Sequence, residues 1–217
     1  MSNIFSMDNK FFNGMDKVGD LIMINILFII CSIPIFTIGA SYTAMYKVAL
    51  DMVKKEEGSV IRNFFEAFKD NFKKSTIVWL ILSVFIAIIY FDFIIVNSMK
   101  TSVGTMLTIG LYIVIFVVLM GVSYIFPTIA TFENTIRNTV KNSFLMAIGY
   151  FPYTLGMIFM NCLGVILFLS GGEAVAYVIL AFLLIGYSGI AFINSMVLHN
   201  IFEKYNNIII DNKKQKC

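Results

Sequence analysis

The chain has 217 residues, of which 59% are hydrophobic and 13% charged, with a net charge of +3. A soluble domain carries about 45–50% apolar and about 25% charged residues, so no aqueous core could hide this much apolar surface and lipid must act as the solvent. That excludes a separate soluble domain, and the three cysteines, Cys31, Cys162 and Cys217, lack any spacing that suggests a disulfide framework or a metal site.

Hydropathy predicts an all-α polytopic membrane protein, one integral membrane domain over 1–217, with five spans near 18–38, 77–97, 103–126, 144–170 and 174–197. In the first span, Asp20 and Asn25 interrupt the apolar stretch and no A-x-A site follows, so it does not read as a cleaved signal peptide. Pro34 and Gly39 break the same run at PIFTIGAS, where a re-entrant turn is the alternative to a full crossing.

The connector 39–76 reads as two amphipathic cytoplasmic helices resting on the membrane, over 42–55 and 59–75, with Gly58 ending the first. Ala44, Tyr46, Leu50 and Val53 give the first a modest apolar stripe beside Lys47, Asp51 and Lys54. The second opens the stretch NFFEAFKDNFKKSTIVWL (63–80). Phe64, Phe65, Phe68 and Phe72 share one face, and Arg62, Glu66, Lys69, Asp70 and Lys73 lie mostly on the other. Rings in the acyl boundary and ammonium groups toward anionic headgroups suit such a helix, so Phe64, Phe65, Phe68, Lys69, Phe72 and Lys73 are the candidate partner- or lipid-docking residues.

This helix runs without a break into the second span, with Trp79 at its mouth. Spans two and three form a hairpin through 98–102, the connector 127–143 contains a third amphipathic helix over 131–143, and spans four and five form a hairpin through 171–173. Pro152 should kink span four.

Cations orient the chain. The first connector holds Lys47, Lys54, Lys55, Arg62, Lys69, Lys73 and Lys74. The second holds Arg137 and Lys141, the tail holds Lys204, Lys213, Lys214 and Lys216, and the short links hold only Lys100. Both connectors and the C-terminus are therefore expected in the cytoplasm. Five spans put the N-terminus outside, with Lys10 and Lys17 on the unfavoured side; a re-entrant first segment puts it inside with four full crossings.

An echo runs between the two connectors. Residues 68–75 (FKDNFKKS) lie over 136–143 (IRNTVKNS), apolar on apolar, cation on cation and serine on serine, each after a proline-bearing span. It reads either as an internal duplication in parallel or as the common look of cationic surface helices.

Polar groups inside the spans are the candidates for chemistry, because hydrocarbon makes them costly unless partnered. Asp20, Asn25, Asp92 and Asn161, with Asn194 beside them, read as the lining of a small-solute path. The competing reading puts the aspartates in interfacial water and leaves the asparagines to bond between helices. His199 is the only histidine and has no HExxH or cysteine partner, and no phosphate-binding glycine motif occurs. The chain is accordingly read as non-enzymatic, with no catalytic residue, cofactor, metal or nucleic-acid partner expected.

Three blocks resemble the YesL family, small bacterial integral membrane proteins of unassigned function. They are 19–25 continuing to IPIFTIGAS (33–41), FFEAFKDNFKKSTIVWL (64–80), and 132–143 followed by FPYT (151–154). The resemblance implies a bacterial cytoplasmic membrane and a link to carbohydrate ABC importers and sensor-kinase systems. It implies no catalytic residues. The reading is an accessory membrane protein that docks an importer or sensor complex on its cytoplasmic helices, the alternative being a small-solute transporter or channel.

Overall fold

The computed structural model describes residues 2–56, 58–99, 101–169, 171 and 174–214, with side chains described from 15 to 207 apart from 174 and the gaps. The described elements are helices: α1 (Ser2–Ser32), a 3-10 turn (Ile35–Thr37), α2 (Ile38–Lys54), α3 (Val60–Ser98), α4 (Ser102–Thr131), α5 (Ile136–Gly149), α6 (Phe151–Leu169), α7 (Ala174–Ala181), a π turn (Phe182–Gly186) and α8 (Tyr187–Lys214). Among the described residues four stretches are long and apolar enough to cross a membrane: Val60–Ser98, Ser102–Thr131, Phe151–Leu169 and Val175–Asn207.

Five spans were expected and four such stretches stand among the described residues; the difference lies in α1. Its stretch 15–32 carries Asp16, Lys17 and Asp20, and the chain then reverses at Pro34. The proline bars its predecessor from helix. Across the turn the rings of Phe28 and Tyr42 come within 6.2 Å between centroids, which a straight continuation would forbid. The turn's carbonyls are satisfied internally: Thr37 Oγ1 donates to Cys31 O and Pro34 O, both at 2.6 Å, and the Trp79 indole donates to Ile35 O at 2.8 Å. Irregular backbone needs such partners wherever water is scarce.

Directions follow from side-chain pairs. Lys17 lies over the Phe192 ring while Asn25 bonds Phe182, Leu183 and Ser188, so α1 advances as α8 is read backward. Tyr46 meets Asn194, while Leu50 and Lys54 face His199 and Phe202, so α2 and α8 run the same way. The start of α1 therefore heads toward the end of the bundle where α2 and α8 close, as the re-entrant alternative requires.

The second difference concerns α2. Rather than resting on a surface, it is the most enclosed helix, with ten residues from Gly39 to Leu50 and also Asp51 buried. It packs on α3 through small residues: a Cβ on Gly39 would stand 2.6 Å from both Ser75 O and Trp79 Cβ, and Thr43 Oγ1 meets Ser75 Oγ at 2.8 Å. Lys55, with φ of 60°, ends α2 in the left-handed region, and Glu56 N bonds Asp51 O at 3.0 Å; Gly58 lies beyond the cap it was expected to form.

The remaining breaks also follow proline chemistry, with one exception. Pro127 is that exception: it lies inside α4, which continues to Thr131 despite the missing amide donor. The expected span 144–170 is two helices, broken at Tyr150 just before Phe151-Pro152. Thr154 Oγ1 closes that break by donating to Ala147 O at 2.8 Å and Tyr150 O at 3.1 Å. Both serines of the sequence echo are fully buried and meet a threonine of a preceding helix, Ser75 with Thr43 and Ser143 with Thr128 at 3.4 Å.

Candidate functional site

The asparagines converge on α7, the π turn and α8. A π turn shifts the hydrogen-bond ladder by one residue, which leaves polar groups at its edges short of partners. Asn25, itself fully buried, supplies them: its Nδ2 donates to Phe182 O at 2.9 Å and Leu183 O at 2.8 Å, and its Oδ1 accepts from Ser188 N at 3.0 Å.

On the other side of α8, Asn194 Nδ2 donates to Asn161 Oδ1 at 3.2 Å and to Tyr46 OH at 3.1 Å, and the Tyr42 hydroxyl lies 3.4 Å from that of Tyr46. Burial pushes the Tyr46 phenol above its ordinary value, so the group stays protonated and neutral. Asn161 borders a 320 Å³ pocket whose other lining includes Gly164, Phe168, Ile179, Phe182 and Tyr187. Two of the four candidate intramembrane residues thus serve one locality: Asn161 lines the pocket, and Asn25 fixes the turn that forms its far wall. Asp20 lies half-buried on α1 and Asp92 exposed on α3, and neither lines this pocket.

A second cavity of 550 Å³ opens where α2 and the start of α3 meet the end of α4. Five carboxylates line it, from Asp51, Glu56, Glu66, Asp70 and Glu133, against the ammonium groups of Lys47 and Lys74. Asp51 is buried and pairs with Lys47 at 3.0 Å. Burial pushes its carboxyl up, and the hydrogen bond and charge of Lys47 draw it partly back.

The phenylalanine face beside this cleft is turned mostly inward. Phe64 is fully buried, Phe68 packs against the core, and Phe72 is half-buried, while Phe65 is 40% exposed. The rings form a continuous ladder, Phe64 to Phe68 at 6.5 Å and Phe68 to Phe72 at 5.5 Å between centroids. Lys69 and Lys73 are exposed. Of the six candidate docking residues, Phe65, Lys69 and Lys73 are therefore the ones a partner or lipid can reach. His199 Nε2 lies 3.5 Å from Glu203 Oε1.

Sequence reasoning left Tyr46 out of the polar group. Its spacing of four from Tyr42 was visible, but an apolar stripe accounted for it equally well. Among the described residues no three metal-ligating side chains cluster.

A family model described as a protein of unknown function, DUF624, matches residues 21–93, which run from Leu21 in α1 through α2 to Phe93 in α3. No curated protein and no solved structure matches the chain.

Proposed function

We propose that this is a non-enzymatic, multi-pass protein of the bacterial cell membrane that docks a partner on its cytoplasmic face. The observation that carries the reading is the 550 Å³ polar cleft at the end of the bundle where Lys47, Lys54, Arg62, Lys69 and Lys73 gather. That cation density supports a cytoplasmic side there, and with it a cytoplasmic C-terminal end of α8. Asp51, Glu56 and Glu66 already face Lys47, Lys54 and Arg62 at 3.0, 3.6 and 2.8 Å, while Asp70 and Glu133, without an ion pair among the described residues, fit a partner segment that brings cations. The YesL resemblance supports a role beside carbohydrate ABC import or its sensing, with an importer or sensor-kinase subunit as the partner.

Affinity purification from native membranes tests this, with a Glu66→Lys, Asp70→Lys variant as comparison. A co-purifying membrane partner that the variant loses is the expected result. Recovery of the protein alone, or equal recovery of the partner by the variant, overturns the reading. Phe68 and Phe72 are poor choices for this test because they also pack in the fold.

A second reading, passage of a small solute, is favoured by the buried Asn161–Asn194–Tyr46 contacts. Proteoliposome flux that is absent, or indifferent to Asn161→Ala, removes it.

A further inference from the structure

The pocket between α6 and the π turn has a built shape. Phe182 forms its wall by lying against two glycines: a Cβ on Gly164 would stand 2.5 Å from Phe182 Cζ, and one on Gly186 would stand 2.6 Å from Phe182 Cγ. Asn25 fixes the turn that carries this ring by holding the carbonyls of Phe182 and Leu183.

The polar element of the pocket is equally constrained. Asn194 is 1% exposed, and both hydrogens of its amide are engaged, one by Tyr46 and one by Asn161 Oδ1. The Asn161 oxygen is therefore committed, and no described residue accepts from its Nδ2. An amide in apolar surroundings with idle hydrogens selects for an acceptor.

No charged side chain lines the pocket, so a charged ligand would enter without compensation. Its walls continue into exposed apolar positions, Val165 at 59%, Phe168 at 53%, Ile179 at 46% and Leu183 at 51%, within stretches long and apolar enough to cross the membrane. Entry is from the lipid.

We infer that this pocket binds a neutral, membrane-partitioned molecule that presents an acceptor oxygen, a ketone or ester carbonyl, from an apolar body. Asn161 Nδ2 donates to that oxygen, and Phe168, Phe182 and Tyr187 flank the body. The inference is independent of the cytoplasmic docking reading.

Photolabelling of the full-length protein in lipid nanodiscs tests it. The probes are a 2-alkanone bearing a chain diazirine and the matched alkyl diazirine without the carbonyl. One hydrogen bond of ordinary net strength predicts that the ketone labels α6 and α7 peptides about 3- to 10-fold more than the alkane does. Asn161→Leu should bring the two probes level, and Ile179→Trp, which fills the mouth and keeps Asn161, should abolish the ketone excess. Equal labelling of the unmodified protein means a groove for acyl chains only and overturns the inference. A ketone preference that survives either substitution also overturns it, and Ile179→Trp alone decides if Asn161→Leu does not fold.

Discussion

Asn25 Oδ1 accepts a hydrogen bond from the backbone amide of Ser188 at 3.0 Å, across 163 positions of sequence. With the two bonds from its Nδ2, one side chain of α1 satisfies both edges of the π turn. That ties the first helix of the chain to its last, and makes α1 part of the wall behind Phe182.

Replacing Asn25 by alanine removes three hydrogen bonds. At about 0.6–1.7 kcal/mol for each bond between helices in a membrane, the expected cost is on the order of 2–5 kcal/mol. Thermal unfolding in detergent reads it directly. Asn25→Asp keeps the acceptor but sets a carboxylate against two carbonyls, so it should be at least as damaging. A midpoint unchanged in both variants would remove the role assigned to this side chain.

Gly39→Ala forces α2 and α3 apart, because the new methyl meets the backbone oxygen of Ser75 and the Cβ of Trp79, both at 2.6 Å. Overpacking of this kind costs about 1–3 kcal/mol. Gly156→Ala on α6 meets nothing within 4 Å and should be neutral or mildly stabilising. The pair, measured side by side by the same thermal assay, separates close packing from helix propensity.

Lys55 holds a left-handed φ of 60°, which glycine adopts without a Cβ penalty. Lys55→Gly should stabilise the close of α2 by about 0.5–1 kcal/mol. Hydrogen exchange of the amides over 50–56 would report it as slower opening, and faster exchange there would contradict the cap.

Burial raises the Asp51 carboxyl above its ordinary value of 3.8. The folded state then binds more protons than the unfolded state in the window above that value. Stability contributed by this group is present at low pH and falls as pH rises through the raised value. Asp51→Asn should flatten that part of the stability–pH curve. Identical slopes for both proteins at pH above the ordinary carboxyl value would exclude Asp51 as its source.

The reversal at Pro34 predicts that a cysteine placed at Phe5 and the native Cys217 react with an impermeant maleimide from the same side of the membrane. Lys100→Cys should react from the opposite side. Labelling of Phe5→Cys together with Lys100→Cys would restore a full crossing by the first segment.

Much of the helical layout could be read along the chain. The stretch from Val60 to Ser98 is one continuous helix, as the unbroken run of NFFEAFKDNFKKSTIVWL into its span indicated. Pro152 marked a real discontinuity, though a break at Tyr150 rather than a bend. The fate of 42–55 was not readable in the same way. Lys47 and Asp51 gave it a polar face, yet they satisfy each other and leave the rest of the helix free to be enclosed. The phenylalanine stripe misled similarly, since a ring facing lipid and a ring facing a neighbouring helix leave the same spacing. Asn161 and Asn25 could be singled out because an amide in hydrocarbon needs a partner. Which partner each takes depends on residues 33 positions away for Asn161 and 157 to 163 away for Asn25.

The sequence alone determined that the solvent is lipid, that the elements are helices, and that one end of the bundle concentrates cations. These are properties of composition and of order along a single chain, and hydrophobic burial and cation placement act on them locally. Only the tertiary structure decided that α1 turns back, that α2 lies inside, and that Asn25 and Asn161 serve one pocket from two sides. Those outcomes depend on which helix faces meet, and on small residues such as Gly39, Gly164 and Gly186 that permit close approach. No local pattern encodes those meetings.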